Sequence, residues 1–156
     1  MDKLLAVLKH AQNFEKKGYE FYLKASEKVK NPVVSSVLSS LAFDENSHEL
    51  MIDRYYVALQ NGQGWPSRDE DCNCEPEDER LAKIARDITK KLDSDSNYLE
   101  VYETALEMEK ASYDYYQSQA EIADDKNVEK FFSFLANLEF THMKMLNLMV
   151  EGIRAA

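Results

Sequence analysis

Residues 38–51 read LSSLAFDENSHELM, and residues 132–145 read FSFLANLEFTHMKM. The two stretches are 94 residues apart, and each carries a Glu and a His three residues apart: Glu45 with His48, and Glu139 with His142. Residues three apart on a helix share one face. Each stretch therefore predicts a helix with a seam, meaning a row of apolar residues that faces the other helices. At one turn of the helix this seam is interrupted by two side chains that can bind a metal.

The same 94-residue shift relates much more of the chain. Over positions 15–53, twelve of 39 residues are identical to those 94 positions later, among them Glu15 with Glu109 and Tyr22 with Tyr116. Average residue usage would give about 2–3 matches. The sequence therefore predicts two copies of one helical hairpin, related by a pseudo-twofold axis.

Apolar residues recur at spacings of three and four through four segments: Leu4 to Val29, Val34 to Leu59, Tyr98 to Ala123 and Val128 to Ile153. This spacing is typical of helices in a bundle. Within each hairpin only two to five residues connect the helices, so the two helices should be antiparallel neighbours. Asn31 and Pro32 fit the N-cap and the first position of the second helix.

The connection between the hairpins is much longer and contains a predicted short amphipathic helix from Arg80 to Leu92. One long crossover in a four-helix bundle is the ferritin-like topology. We therefore expect one all-α domain over residues 1–156, a ferritin-like four-helix bundle of two repeated antiparallel hairpins. The first hairpin spans about residues 3–60, the crossover about 61–96, and the second hairpin about 97–154.

The composition excludes several classes of protein. The formal net charge is −10, whereas binding to a nucleic-acid backbone needs a basic face. The apolar runs are too short to span a bilayer. Cys72 and Cys74 are separated by one residue and cannot form a disulfide framework, which favours a reducing compartment. We expect a cytoplasmic protein that binds neither nucleic acid nor membrane.

Half of the negative charge comes from residues 67–80, where seven acidic residues face only Arg68 and Arg80. Acidic neighbours make thiols poor nucleophiles, so Cys72 and Cys74 are interpreted as an incidental surface pair rather than a redox or metal-binding pair. The acidic segment itself is interpreted as a solvated tether, with a docking surface for a basic partner as the alternative.

Six polar residues occupy seam positions at matched levels of the four helices: Glu15, Glu45, His48, Glu109, Glu139 and His142. Burying carboxylates together costs several kcal/mol for each charge, and two divalent cations would offset all four. Carboxylate and imidazole ligands without thiolate suit iron or manganese. One Glu from each of two helices and a Glu-x-x-His from each of the other two is the general pattern of di-iron and di-manganese bundles. His10 lies off the seam and is expected at the surface.

Along nearly its whole length the chain resembles the rubrerythrin-type branch of the ferritin-like superfamily. The resemblance rests on Glu15 in FEKKGYEFY, Glu45 and His48 in DENSH, Glu109 in MEKASYDYY, and Glu139 and His142 in LEFTH. It implies that Glu45 and Glu139 bridge two metals and that Glu15 and Glu109 are terminal ligands.

The resemblance also implies an activity. It predicts a non-haem di-iron oxidoreductase that reduces hydrogen peroxide or dioxygen to water. The cofactor would be two iron ions, Fe2+ or Fe3+ and oxo-bridged when oxidised, with manganese or zinc as possible substitutes. Electrons would come from an external donor such as a rubredoxin or a flavoprotein, and a homodimer is expected.

The chain departs from the family pattern in its cysteines and at one ligand position. Rubrerythrins carry two Cys-x-x-Cys pairs in a rubredoxin domain, whereas this chain has only Cys72-x-Cys74. They also carry an additional Glu three residues after the third-helix ligand, where this chain has Ser112, whose repeat mate is Gly18. Six protein ligands are therefore expected. The two small residues either leave room for a diatomic or peroxide ligand or allow close helix approach.

Two tyrosines, Tyr22 and Tyr116, follow the ligands Glu15 and Glu109 by seven residues. We favour hydroxyl groups that hydrogen-bond ligand carboxylates, with plain aromatic packing as the alternative.

Three other functions compete with peroxide reduction. The main rival is a ferritin-type ferroxidase or iron-handling protein, but Asn46 replaces the haem-binding Met of bacterioferritin and only 14 residues follow His142. An oxygenase acting on an organic substrate would need a larger pocket above the metals. A metal-binding or metal-free helical module without a catalytic role is the non-enzyme alternative.

Overall fold

The protein is described from a computed structural model, which covers residues 2–66 and 96–155. Four helices form nearly all of these ranges: α1 (Asp2–Lys28), α2 (Pro32–Gln60), α3 (Ser96–Glu121) and α4 (Lys126–Ala155). No strand occurs in the described ranges, which confirms the expected all-α four-helix bundle. The predicted crossover helix and the pair Cys72 and Cys74 lie outside the described residues.

Each hairpin is closed by a short connection, residues 29–31 in the first and 122–125 in the second. Helix α1 packs along α2, α3 packs along α4, and α1 contacts α3. The predicted seams end slightly too late, because Val29 and Ala123 lie just beyond the ends of α1 and α3. Within the described ranges, no helix is long and apolar enough to cross a membrane.

Local signals in the sequence set the helix ends. The Asn31 side chain accepts hydrogen bonds from Val33 N at 2.9 Å and Val34 N at 3.4 Å, which confirms it as the N-cap of α2. Helix α2 ends in a Schellman motif, in which Gln63 N bonds to Ala58 O. The motif needs a left-handed residue, which Gly62 supplies with φ of 70°.

The apolar core is divided into two clusters. One packs around Tyr22, Leu38 and Tyr102, and the other around Leu8, Tyr55 and Phe132. Burying a side chain of this size contributes about 1.5–3 kcal/mol, so the clusters supply most of the stability. The six polar seam residues belong to neither cluster, although all are buried. The fold therefore encloses a polar layer in its apolar core.

One residue of the first cluster is mismatched to its surroundings. Tyr102 is completely buried, and within the described part of the chain its hydroxyl has no hydrogen-bond partner. Its repeat mate, Leu8, is also completely buried but carries no polar group. Burial raises the pKa of Tyr102, since a buried phenolate would be unsolvated.

We predict that Tyr102→Phe raises the free energy of unfolding by up to about 1–3 kcal/mol, because a buried polar group without a partner carries a desolvation cost of that size. Chemical denaturation of the metal-free protein measures the change. The control is Tyr115→Phe, which removes a hydroxyl that donates to Val7 O at 3.2 Å and should be destabilising. A loss of stability in Tyr102→Phe as large as in the control would contradict the assignment.

Candidate metal centre

The structure brings all six predicted ligands together at the middle of the bundle. Each is buried, with between 0% and 6% of its surface exposed. They form two groups of four, in each of which one ligand atom per residue lies within 4.8 Å of the others: Glu15, Glu45, His48 and Glu139, and Glu45, Glu109, Glu139 and His142. Glu45 and Glu139 belong to both groups. This sharing is the geometry in which two carboxylates can bridge a metal pair.

Both imidazoles direct Nδ1 into the layer. His48 Nδ1 lies 3.1 Å from Glu15 Oε2 and 3.4 Å from Glu139 Oε1. His142 Nδ1 lies 3.0 Å from Glu45 Oε1. The two rings are nearly parallel, with their centroids 5.5 Å apart. Two nitrogen and several carboxylate oxygen atoms thus converge on one small volume.

Several of these atoms lie within ion-pair distance of another ligand atom but make no well-oriented hydrogen bond. Glu45 Oε1, Glu139 Oε1 and His142 Nδ1 are fully buried, and none has a hydrogen-bond partner among the described residues. Buried polar atoms are normally paired, because leaving one unpaired costs about 1–3 kcal/mol. All three belong to the group around His142, and two of them are the shared carboxylates. The donor set and its orphaned atoms fit a pair of divalent cations.

The pKa values in the metal-free layer show how crowded it is. Burial raises the pKa of both Glu45 and Glu139, and neighbouring carboxylates raise it further. Burial alone would also raise the pKa of Glu109, but the positive charge of His142 lowers it to about 2. The Glu109 carboxylate in turn holds the pKa of His142 well above its ordinary value, against the effect of burial. Without metal, the crowding therefore favours the protonated forms of Glu45, Glu139 and His142 and the ionised form of Glu109.

Each of the two tyrosines forms a hydrogen bond with a Glu of the other hairpin. The Tyr22 hydroxyl on α1 donates to Glu109 Oε1 on α3, and the Tyr116 hydroxyl on α3 donates to Glu15 Oε1 on α1. Burial raises the pKa of both tyrosines, and the nearby carboxylates raise it further, so the hydroxyls stay protonated. These are the contacts that the sequence analysis favours for Tyr22 and Tyr116, and they join the two hairpins.

The small residues Gly18 and Ser112 position the shared carboxylates. A Cβ at Gly18 would lie 2.7 Å from Glu45 Oε2 and 3.1 Å from Glu45 Cγ, so the absent side chain is what admits Glu45. The Ser112 hydroxyl donates to Glu139 Oε2 at 3.2 Å. Repeat-related positions thus act on repeat-related ligands, one by leaving space and the other by a hydrogen bond.

Sequence reasoning missed Asp44. Its Oδ2 atom lies 3.6 Å from His142 Nε2, on the opposite side of the ring from the layer, and supports the direction of Nδ1. The repeat mate of Asp44 is Leu138, so His48 has no equivalent carboxylate at that position. The only signal in the sequence is that Asp44 directly precedes a ligand. His10, by contrast, is exposed as expected and packs against Phe14 and Tyr115.

Comparison with known proteins gives the family. A sequence profile of the family described as rubrerythrin matches residues 6–150. The chain belongs to the rubrerythrin family. Membership agrees with the buried Glu and His cluster, which fits the dinuclear metal centre of a rubrerythrin. No curated protein matches the sequence.

A solved structure supports the fold. The chain is similar to the hypothetical protein Pfu-1136390-001 from Pyrococcus furiosus, with a TM-score of 0.68 and 19% identity. The alignment covers 97% of this chain and 90% of that chain. At this identity the likeness shows a shared fold and nothing about activity.

We predict that Gly18→Ala weakens metal binding by about 10–100-fold, the usual effect of displacing a residue that supports a ligand. The new Cβ would push Glu45, which belongs to both ligand groups. Competition with a chelator for Co2+, followed by absorption, measures both binding steps.

The control for this variant is Ala6→Gly, an exposed helix position away from the site that should leave metal affinity unchanged. If Gly18→Ala binds two metals as tightly as the unmodified protein, Gly18 does not position Glu45.

A second prediction concerns the metal-free protein and pH. The folded-state pKa of Glu45, Glu139 and His142 is raised, so the folded state binds more protons than the unfolded state. Stability from these groups is therefore present below their ordinary pKa values and is lost as pH rises through the raised folded-state pKa values. The melting temperature of the metal-free protein should fall over that range, and metal loading should reduce the fall because metals replace the protons.

The double variant Glu45→Gln/Glu139→Gln removes two of these titrations and should flatten the pH dependence of the metal-free protein. Glu151→Gln, at an exposed position of α4, is the matched control and should behave like the unmodified protein. An equal pH dependence in the double variant and the control would show that the shared carboxylates do not hold protons.

Proposed function

We propose that the protein is a non-haem di-iron oxidoreductase that reduces peroxide, or dioxygen, to water. The observation that supports this most strongly is that Glu45 and Glu139 belong to both ligand groups. Shared carboxylates hold two metal ions close enough to act on one small molecule, which is how dinuclear sites work. A structural metal site needs only one ion and no shared ligands.

Each metal would have a complementary set of protein ligands. Glu15 and His48 would complete one group, and Glu109 and His142 the other. Two bound iron ions would together supply the two electrons that cleave an O–O bond. Manganese suits the same ligands, whereas zinc has no redox chemistry and would give a silent site.

The chain's own residues keep the centre ordered and dry. Tyr22 and Tyr116 hold Glu109 and Glu15 by hydroxyl donation, so these carboxylates keep one orientation when a ligand binds. The apolar clusters on either side of the layer exclude water, which strengthens electrostatic interactions within it. Asp44 Oδ2 lies 3.6 Å from His142 Nε2, within ion-pair distance, and so favours an imidazole orientation with Nδ1 directed into the layer, where it could bind a metal.

Turnover needs electrons from outside the centre. We propose a separate donor protein, of the rubredoxin or flavoprotein kind, for re-reduction. The homodimer and the cytoplasmic location remain predictions. Ferritin-type iron handling is the alternative function, and it predicts a different fate for added iron.

The test is the reaction of the loaded protein, reduced without oxygen, with peroxide or dioxygen in stopped flow. We expect one peroxide to oxidise two irons per chain, with a much faster reaction than dioxygen gives. The zinc-loaded protein is the control and should not react.

Two results would contradict the proposal. In the first, iron in the reduced protein is oxidised no faster by peroxide than free Fe2+ in the same buffer. In the second, repeated additions of Fe2+ are stored as a mineral far beyond two per chain, which would favour iron handling instead.

A further inference from the structure

A pocket of about 120 Å³ opens between α1 and α3 and reaches the candidate metal centre. Its floor includes the carboxylates of Glu45 and Glu109 and the side chain of Tyr22. Of the six candidate ligands, the lining includes Glu45, which belongs to both ligand groups, and Glu109, which belongs to the group with His142. That group also contains the three buried atoms without partners, Glu45 Oε1 among them.

The pocket depends on two small residues. Gly18 has no side chain, and the space next to its Cα holds the Glu45 carboxylate. The Ser112 hydroxyl bonds to Glu139 Oε2 and to Glu109 O at 3.0 Å, within the layer and its own helix. Neither residue extends into the space between α1 and α3. The pocket therefore continues from the surface to the ligand carboxylates.

The walls differ chemically from the floor. Phe14 and Met108 are half-buried and Ala111 is exposed, and together they form an apolar mouth. Lys17 is exposed at the outer edge. Polar groups are concentrated at the deep end, where Glu45, Glu109 and Tyr22 lie. A ligand that matches this arrangement has a polar end that contacts the floor and a small apolar group that contacts the walls.

The volume limits the size of the apolar group. A cavity of about 150 Å³ holds a benzene molecule, so 120 Å³ fits a group of about four or five carbons. Hydrogen peroxide and dioxygen have two heavy atoms each and would leave most of the pocket unfilled. A short or branched alkyl chain attached to the reacting group would fill the pocket.

We infer that the pocket takes a small organic hydroperoxide, R–O–O–H, with R of about four carbons against Phe14, Met108 and Ala111. The inference rests on the proposed function and names its substrate class. In the balanced step, R–O–O–H takes up two electrons and two protons and gives R–OH and water. The O–O bond breaks, the electrons come from the two bound metal ions, one each, and the protons come from solvent.

The first test measures binding without any metal. tert-Butanol, the product of tert-butyl hydroperoxide, is titrated into metal-free protein labelled at the methionine methyl groups. We expect a saturable NMR shift of the Met108 methyl, with Met143, outside the pocket, as the reference. Ala111→Leu narrows the mouth of the pocket and should weaken tert-butanol binding about 10-fold or more. An extra or missing methylene group in an apolar pocket usually has an effect of this size. Ala6→Leu, at an exposed position of α1, should bind as the unmodified protein does.

The second test compares kcat/KM for tert-butyl hydroperoxide and hydrogen peroxide in the iron-loaded protein. Ala111→Leu should lower the value for the alkyl substrate about 10-fold more than the value for hydrogen peroxide, so that the ratio of the two values falls about 10-fold. Met108→Ala widens the pocket and should raise the value for the bulkier cumene hydroperoxide.

The outcomes separate the two proposals. If hydrogen peroxide is reduced but Met108 shows no saturable shift, or Ala111→Leu affects both substrates equally, the substrate inference is wrong and the proposed function stands. If no hydroperoxide of any size is reduced, the proposed function fails, and the substrate inference fails with it.

Discussion

The structure depends on the burial of four carboxylates and two imidazoles in one layer of a helical bundle. Moving a single carboxylate out of water costs several kcal/mol, and the carboxylates also repel one another. Burial and the neighbouring carboxylates raise the pKa of Glu45 and Glu139, which reflects that cost. The apolar clusters on either side offset the cost, and the crosswise bonds of Tyr22 and Tyr116 fix the layer between the hairpins. Metal ions would relieve the same repulsion, so stability and metal binding are coupled at this level of the bundle.

The two halves of the centre are similar but not equivalent. Gly18 leaves space for Glu45, whereas its repeat mate Ser112 donates to Glu139. Asp44 supports His142, while Leu138 stands at the equivalent position for His48. The pocket is lined by Glu109, whereas its repeat mate Glu15 does not line it. The two hairpins thus share the six Glu and His residues and differ in the residues that surround them.

The fold and the convergence of the six Glu and His side chains could be predicted because both rest on periodicity. An α-helix has 3.6 residues per turn, so a residue at a seam position faces the core whatever its neighbours are. The repeat then places the polar seam residues of the four helices at the same height in the bundle. Asp44 could not be predicted, since it lies one residue off the seam and acts only because α2 and α4 bring it beside His142. The role of Gly18 was also open, because a glycine on a seam permits either a ligand or a close side chain, and only the position of Glu45 decides between them. The pocket depends on how Phe14, Met108 and Ala111 meet across two helices, which no spacing along the chain reveals.

The central claim is that one layer of the bundle holds two metal ions through shared carboxylates. Anomalous X-ray diffraction from crystals of the iron-loaded protein, recorded on both sides of the iron absorption edge, tests it most directly. The account predicts two anomalous peaks per chain, each within bonding distance of both Glu45 and Glu139, with His48 Nδ1 on one and His142 Nδ1 on the other. A single peak, or two peaks that share neither carboxylate, would contradict it.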